Sequence, residues 1–308
     1  MAEFTAKDVA ELRKQTGCGM MDCKNALKDA NGNFDEAIKI LREKGIAASA
    51  KKSSRIAADG LVDIMTEGDV TAMVEVNSET DFVAKNSTFQ AFVKDVLKAI
   101  IANRPANVDE LLASKYPGSE KTVGEMLTEK TYTIGEKLSI RRFVIVDGTV
   151  STYVHGLGAT GVIIKFEADD VAKNNPGFAE FAKNIALQAA AMPVLYVNKE
   201  SVPASVLEEE KEILNKQMEQ DPKMAGKPAK VLEGIIAGKL KKFYETNCLV
   251  EQAYVKDDSI SVGKYVAETA KKFGGKIEVV DFKRYDKGEG IQKKEEDFAA
   301  EIEKMVKG

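Results

Sequence analysis

An internal repeat constrains the fold of this chain more than any other feature. Val83-Ala84-Lys85-Asn86 recurs as Val171-Ala172-Lys173-Asn174. Both copies are preceded by a strand-like segment and followed by two phenylalanines three residues apart and then a lysine, which are Phe89, Phe92 and Lys94 in one copy and Phe178, Phe181 and Lys183 in the other. Self-similarity of this kind is the signature of a repeated structural unit. The repeat therefore predicts two related halves, each built from a sheet and a helix.

The first copy lies at a junction between a strand and a helix. Residues 70–76 alternate between apolar and more polar side chains, which predicts a half-buried strand. From Phe89 onward, apolar residues recur at helical spacing. The polar junction between them carries one large apolar residue, Phe82, beside Asp81. Junctions on a rigid scaffold often carry function, so Phe82 either contacts a partner or packs under its own helix.

The repeat also bears on these two roles of Phe82. The residue before the shared motif is Phe82 in the first copy and Asp170 in the second. If Phe82 were only a scaffold residue of the repeated unit, an apolar residue would be expected at position 170. The difference favours a contact role without excluding the structural one.

The patterns along the chain predict an α+β fold with several distinct parts. These are a small three-helix bundle at 1–45, a flexible or helical linker at 46–59, a first core half at 60–147, a second core half at 148–200 and 247–285, an inserted antiparallel helical hairpin at 201–246, and a helical tail at 286–308. In the bundle, Thr5 and Asn33 are expected to cap helices and Gly45 to end one. Met20 and Met21 are neighbours, so one of them should be partly exposed.

Composition excludes several classes of protein. The chain has 308 residues, of which 44% are hydrophobic and 31% charged, and its net charge of -4 gives no footprint for nucleic acid or an anionic membrane. Three scattered cysteines indicate a reducing compartment rather than a disulfide framework. No apolar run approaches the roughly 18 residues of a membrane span, and the first residues do not resemble a signal peptide. We therefore expect a cytoplasmic protein.

Motifs for enzymatic chemistry are weak. Gly156-Leu157-Gly158-Ala159-Thr160-Gly161 matches the dinucleotide pattern GxGxxG, but a strand-like segment follows where pyrophosphate binding needs a helix. The pattern therefore indicates a loop between two strands, and there is no P-loop sequence. His155 is the only histidine, which leaves no typical zinc site and no serine-elbow triad. We expect no cofactor, no metal and no catalysis, while His155 is either structural or a contact residue.

Several segments closely resemble bacterial translation elongation factor Ts, and their order matches that family from end to end. They are TGCGMMDCK at 16–24, EVN at 75–77, TDFVAK at 80–85, IRR at 140–142, GEGI at 288–291 and DFA at 297–299. The resemblance implies a guanine-nucleotide exchange factor that binds elongation factor Tu, both GDP-bound and nucleotide-free, and expels its GDP. Departures are Cys18, where the family often has alanine, and the variant loop at 156–161.

The resemblance also implies which residues touch the partner. Leu12, Met20 and Met21 would contact its nucleotide-binding domain, Asp81 and Phe82 would form a wedge there with Ile134 and Gly135 nearby, and His155 would lie in the contact region. The wedge would disturb the partner's magnesium and phosphate site, and the C-terminal tail would grip the same domain. The hairpin at 201–246 resembles the family's dimerisation segment, which implies a possible homodimer.

Two other functions stay open at this point. A passive protein-binding scaffold or chaperone-like module would bind a partner without affecting nucleotide. A dinucleotide enzyme using the loop at 156–161 would bind NAD or NADP.

Overall fold

The computed structural model describes residues 4–221 and 227–292, and these residues belong to two compact units. The first unit holds residues 4–145, 156–160 and 285–292, and the second holds 146–155, 161–221 and 227–284. Helices and small sheets occur in both units, which confirms the predicted α+β class. The division into six parts stays a prediction.

The first unit combines a helical bundle with a three-stranded sheet. Its described elements are α1 (Ala6–Thr16), α2 (Met20–Asp29), α3 (Phe34–Lys52), β1 (Asp59–Glu67), β2 (Val70–Ser78), α4 (Asp81–Ala84), α5 (Ser87–Asn103), α6 (Val108–Ala113), α7 (Val123–Ile134) and β3 (Ser139–Asp147). The strand order is β1-β2-β3, and α5 packs against β1, β2, α6 and α7. Phe89 and Phe92 of α5 are buried in the resulting core.

The N-terminal bundle has its own small core and the predicted helix starts. Thr5 caps α1, since its hydroxyl oxygen accepts a hydrogen bond from the Asp8 backbone N–H while the Asp8 carboxylate accepts one from the Thr5 N–H. Asn33 caps α3. Gly45 does not end α3, so the expected stop is wrong. A glycine ends a helix when it turns left-handed. Gly45 instead stays helical and buried, and a side-chain carbon there would lie at ordinary contact distance, 3.6 Å, from Tyr132 Cβ of α7.

The predicted hairpin of β1 and β2 is confirmed, but the burial of β2 differs from expectation. The two strands pair antiparallel, with Asp59 opposite Ser78 and Glu67 opposite Val70. Every residue of β2 after Val70 is buried, including polar ones such as Glu75. Because β2 is the central strand, neither edge is open, and α5 covers one face. Alternation therefore predicted the strand correctly and its half-exposed state wrongly.

The second unit repeats the sheet-plus-helix plan with additions. Its described elements are β4 (Val150–His155), β5 (Thr160–Ala168), α8 (Asp170–Lys173), α9 (Phe178–Ala191), α10 (Ala204–Gln220), α11 (Ala229–Asn247), β6 (Ala253–Tyr254), β7 (Asp257–Ser261), α12 (Val262–Phe273) and β8 (Ile277–Asp286). The sheets have the orders β4-β5-β8 and β6-β7. Phe178 and Phe181 of α9 lie in a core with Val266 of α12.

The two halves confirm the repeat. In each, a strand leads into a one-turn helix and then into a long helix whose two phenylalanines are buried. Phe82 and its counterpart Asp170 are both exposed. This position of the repeated unit therefore faces outward in both copies, and the core does not require an apolar side chain there.

The predicted helical hairpin corresponds to α10 and α11, which pack against each other. Of the tail predicted at 286–308, only residues up to 292 are described, so its proposed apolar face at Phe298, Ile302 and Met305 lies outside the described residues. Among the described residues, no helix has both the length and the apolarity needed to cross a membrane.

Candidate protein-binding site

Phe82 is presented on a one-turn helix whose other residues are anchored in the fold. Its side chain is 79% exposed, whereas the neighbouring Val83 and Ala84 are buried. In a helix of one turn such as α4, only some of the side chains can face the core, and here Val83 does so. The alternative that Phe82 packs under its own helix is therefore wrong.

The entry into α4 is fixed by a carboxylate from the other side of the junction. Glu136, which follows the end of α7, accepts a hydrogen bond from the Thr80 backbone N–H at 3.0 Å and another from the Thr80 hydroxyl at 2.6 Å. Thr80 is the residue that precedes α4. These two bonds hold Thr80, two residues before Phe82, against Glu136, the residue after Gly135.

The charged neighbours of Phe82 pair with each other. Lys85 donates a hydrogen bond to Asp81 at 2.6 Å, and its ammonium lies 5.8 Å from the centre of the Phe82 ring. The hydrogen bond from Lys85 lowers the pKa of the Asp81 carboxyl, which is therefore ionised at neutral pH. The ring is thus flanked by a compact ion pair.

A cleft of about 550 Å³ lies beside the ring and brings two of the predicted contact residues together, Phe82 and Ile134. It is lined by Lys14, Gln15, Thr16, Gly17, Phe82, Val83, Asn86, Thr88, Glu129, Lys130, Thr133 and Ile134. Its walls come from the end of α1, the α4–α5 turn and α7. Ile134 ends α7 half-buried against the sheet core, and Gly135 follows it in a left-handed conformation. Phe82, Ile134 and the bundle therefore border one concave surface.

The methionine pair of the bundle is more exposed than expected. Met20 and Met21 are 53% and 62% exposed, and both lie in the first turn of α2. The buried stripe of α2 begins after them, at Cys23, so neither methionine is needed for the bundle core. Both side chains are available to a partner.

Leu12 requires a correction. Its side chain has no exposed surface because it fills the centre of the bundle core. In this structure Leu12 supports the packing of α1 and makes no surface of its own for a partner.

His155 belongs to the second unit, whereas the residues above belong to the first. It is the last residue of β4 and is exposed, and its Nδ1 lies 3.1 Å from the Tyr153 hydroxyl oxygen. After it, residues 156–159 form the turn between β4 and β5. The loop interpretation of the GxGxxG pattern is confirmed, and the helix that a dinucleotide site needs is replaced by a strand.

A buried carboxylate near the sheet was not singled out from the sequence as functional. Glu75 of β2 is fully buried and accepts hydrogen bonds from Arg141 at 3.0 Å, Arg142 at 2.6 Å, Asn77 at 3.1 Å and the Gly288 N–H at 2.8 Å. Burial acts to raise the pKa of Glu75, but the hydrogen bonds outweigh it and lower the pKa. These residues lie in the EVN, IRR and GEGI segments that carry the family resemblance. The sequence therefore marked them as part of a motif but did not show that they form one buried cluster.

The same cluster holds the segment after β8 in place. Arg142 pairs with the Glu289 carboxylate at 3.0 Å and its guanidinium lies 4.1 Å from the centre of the Tyr285 ring. Lys287 is paired with Asp59 at the start of β1. Residues 285–289 are thus fastened to the sheet of the first unit.

None of this machinery resembles a metal or catalytic centre. Within residues 4–221 and 227–292, no group of three histidine, cysteine, aspartate or glutamate side chains is placed to hold a metal ion. What the geometry offers is an exposed ring on a rigid mount, a concave surface next to it and a methionine pair, all suited to contact with another protein.

Comparison with known proteins identifies the family. A family model described as elongation factor TS matches residues 79–289, more than half of the chain. The elongation factor Ts of Syntrophotalea carbinolica is 43% identical over 308 residues, covering 99% of this chain and 100% of that protein. Those of Clostridium kluyveri and Clostridioides difficile are 44% and 43% identical over 311 residues, with at least 99% of each chain covered. The chain therefore belongs to the elongation factor Ts family.

Proposed function

We propose that this chain is a guanine-nucleotide exchange factor that binds elongation factor Tu in the cytoplasm and promotes the release of GDP during translation elongation. It performs no chemical step of its own. The observation that carries the proposal is the exposure of Phe82 on an anchored one-turn helix. Family membership supports the identity of the partner.

The physical requirement for exchange is a difference in affinity. The factor must bind nucleotide-free elongation factor Tu more tightly than the GDP-bound form, because coupling between two ligands of one protein is reciprocal. Each roughly 1.4 kcal/mol of that difference changes the relative affinity tenfold. An exchange factor therefore needs a contact that fits only when the nucleotide site is disturbed.

Phe82 has the properties such a contact requires. Its ring inserts as an apolar wedge against the nucleotide-binding domain of the partner and disturbs the groups that hold magnesium and phosphate. Because Thr80 is fixed by Glu136 and Val83 is buried, little conformational entropy is lost when the ring docks. Asp81 lies beside the ring as an ionised hydrogen-bond acceptor.

The remaining contacts extend this surface. Met20 and Met21 add adaptable apolar area from the bundle, and Ile134 borders the cleft beside the ring, with Gly135 next to it in the chain. His155 contacts the partner from the second unit. Grip by the C-terminal tail and self-association through residues 201–246 remain predictions.

Stopped-flow release of a fluorescent GDP analogue from elongation factor Tu tests the proposal. The wild-type chain should accelerate release, and Phe82→Ala should reduce the acceleration roughly 30-fold, since removal of a central aromatic anchor costs about 2 kcal/mol. Val171→Ala is a matched control, because Val171 is an exposed apolar residue on the corresponding one-turn helix α8.

Two results would contradict the proposal. If the Phe82→Ala variant accelerated GDP release from elongation factor Tu as strongly as the wild-type chain does, the role of Phe82 as a wedge would be wrong. If wild type bound elongation factor Tu without accelerating release, the passive binding module would replace the exchange factor.

A further inference from the structure

Two cysteines occupy paired positions at the start of α2. Gly19 caps this helix, so Cys18 directly precedes the cap and Cys23 is the fourth helical residue, with its N–H donating to the Gly19 carbonyl at 3.0 Å. Side chains at these two positions characteristically pack against each other and fix the entry of the chain into the helix. Here both are thiols, both are buried and both are free.

The two sulfur atoms share one small environment. Cys18 Sγ lies 3.7 Å from the Thr16 carbonyl oxygen, and Cys23 Sγ lies 3.8 Å from the Thr16 hydroxyl oxygen. Cys23 Sγ is also 3.9 Å from the carbonyl oxygen of Cys18 itself. These contacts place the Cys23 sulfur beside the main chain of Cys18 and bring both sulfur atoms to the same residue, Thr16.

Cys18 borders a cavity, with 4% of its surface exposed. The cavity has a volume of about 560 Å³, and its walls come mainly from α3 and α7. Apolar side chains, including Ile38, Leu41 and Tyr132, form part of that wall. A hydroperoxide is small enough to enter a cavity of this size.

We propose that Cys18 and Cys23 are a modification site that forms a reversible intramolecular disulfide on reaction with a hydroperoxide. The Cys18 thiol loses its proton, and the resulting thiolate attacks one oxygen of hydrogen peroxide. The O–O bond breaks, Cys18 becomes a sulfenic acid, and the departing hydroxide takes up the thiol proton to form water. The Cys23 thiolate then attacks the sulfenic sulfur, the S–S bond forms, and a second water leaves. Two thiols thus give up two electrons and two protons to one hydrogen peroxide.

Burial affects the rate of this reaction rather than its outcome. Desolvation raises the pKa of the Cys18 thiol, against a lowering contribution from the hydrogen bond with Thr16. The thiolate is the reactive form, so oxidation is slower than at an activated cysteine. The second thiol at the paired position traps the sulfenic acid before further oxidation.

Peptide mapping of the full chain tests the site. Residues 15–24 lie between Lys14 and Lys24, so trypsin releases both cysteines in one peptide. After hydrogen peroxide treatment and alkylation under denaturing conditions, this peptide should carry no alkyl group. It should be about 2 Da lighter, the mass of two hydrogens, than the reduced and unalkylated peptide with the same number of oxidised methionines, because Met20 and Met21 are exposed to the peroxide. Treatment with dithiothreitol should restore two alkylatable thiols, and Cys248 should stay alkylatable throughout.

Matched variants make the test decisive without reference to exchange activity. Cys248→Ala should behave as wild type, and Cys18→Ala should leave Cys23 as a single unlinked thiol. The proposal is overturned if the wild-type peptide keeps both thiols, or if its fragment masses place a sulfinic or sulfonic acid on Cys18 or Cys23 rather than sulfoxides on Met20 and Met21. It is also overturned if the link joins two molecules. Circular dichroism before oxidation checks that each variant is folded.

Discussion

Glu136 accepts both hydrogen bonds that Thr80 donates, one from its backbone N–H at 3.0 Å and one from its hydroxyl at 2.6 Å. The carboxylate therefore fixes the turn that leads into Phe82.

Replacing Glu136 should loosen this turn. In Glu136→Ala the part-buried Thr80 N–H and hydroxyl lose their acceptor, at a cost of about 1–3 kcal/mol. We expect faster hydrogen exchange at the Thr80 amide and slower GDP release from elongation factor Tu. Glu167→Ala, at an exposed strand position, serves as control. An unchanged Thr80 exchange rate would mean that the carboxylate does not restrain the turn.

The Glu75 cluster should give stability a definite pH dependence. The pKa of Glu75 is lowered from its ordinary value of 4.5, so its ionised form stabilises the fold above that pH. This contribution is lost as the pH falls through the lowered pKa. Glu75→Gln should reduce the free energy of unfolding by about 3 kcal/mol at pH 7, because two arginines lose a buried partner.

Urea unfolding of both proteins from pH 7 down to acid measures this difference. The difference in free energy of unfolding between wild type and Glu75→Gln should become smaller only in the acid range. A difference that stayed constant with pH would exclude ionised Glu75 as its source.

The methionine pair should matter for binding and little for folding. The double variant with Met20→Ala and Met21→Ala loses only exposed side chains. Its free energy of unfolding should therefore change by no more than about 0.5 kcal/mol. Affinity for elongation factor Tu should fall roughly tenfold as apolar contact is lost. Calorimetric titration measures it, with the exposed Ile46→Ala on α3 as control. Equal affinity of both variants would remove the pair from the interface.

Two glycines of the first hairpin should respond very differently to alanine. Gly60 has φ of 111°, and a side-chain carbon there would lie 2.1 Å from the Val76 carbonyl oxygen. Gly68 also has positive φ, at 58°, but nothing lies within 4 Å of such a carbon. Gly68→Ala should cost about 1 kcal/mol of strain, and Gly60→Ala more than about 3 kcal/mol. Similar urea midpoints for the two variants would contradict the clash at Gly60.

Local patterns were sufficient for much of the fold. Alternation and turn residues predicted the β1–β2 hairpin, and the repeat predicted two related halves. The strand after Gly161 was enough to assign the GxGxxG pattern to a loop. Each of these features depends on residues close together in the sequence.

The features that were missed depend on packing between distant segments. Gly45 looked like a helix end, but α3 continues past it to Lys52 while packed against α7, which lies far along the chain. The burial of Leu12 depends on all three bundle helices. Spacing along one segment carries no information about what the other segments cover.

The bond between Gly288 and Glu75 makes the end of β8 a practical limit for shortening the chain. A protein that stopped before Gly288 would retain Glu75 in the interior without its main-chain donor, and Arg142 would lose Glu289. Deletions meant to probe the tail should therefore begin beyond Ile291, so that weakened exchange reports on the tail itself and not on a damaged sheet.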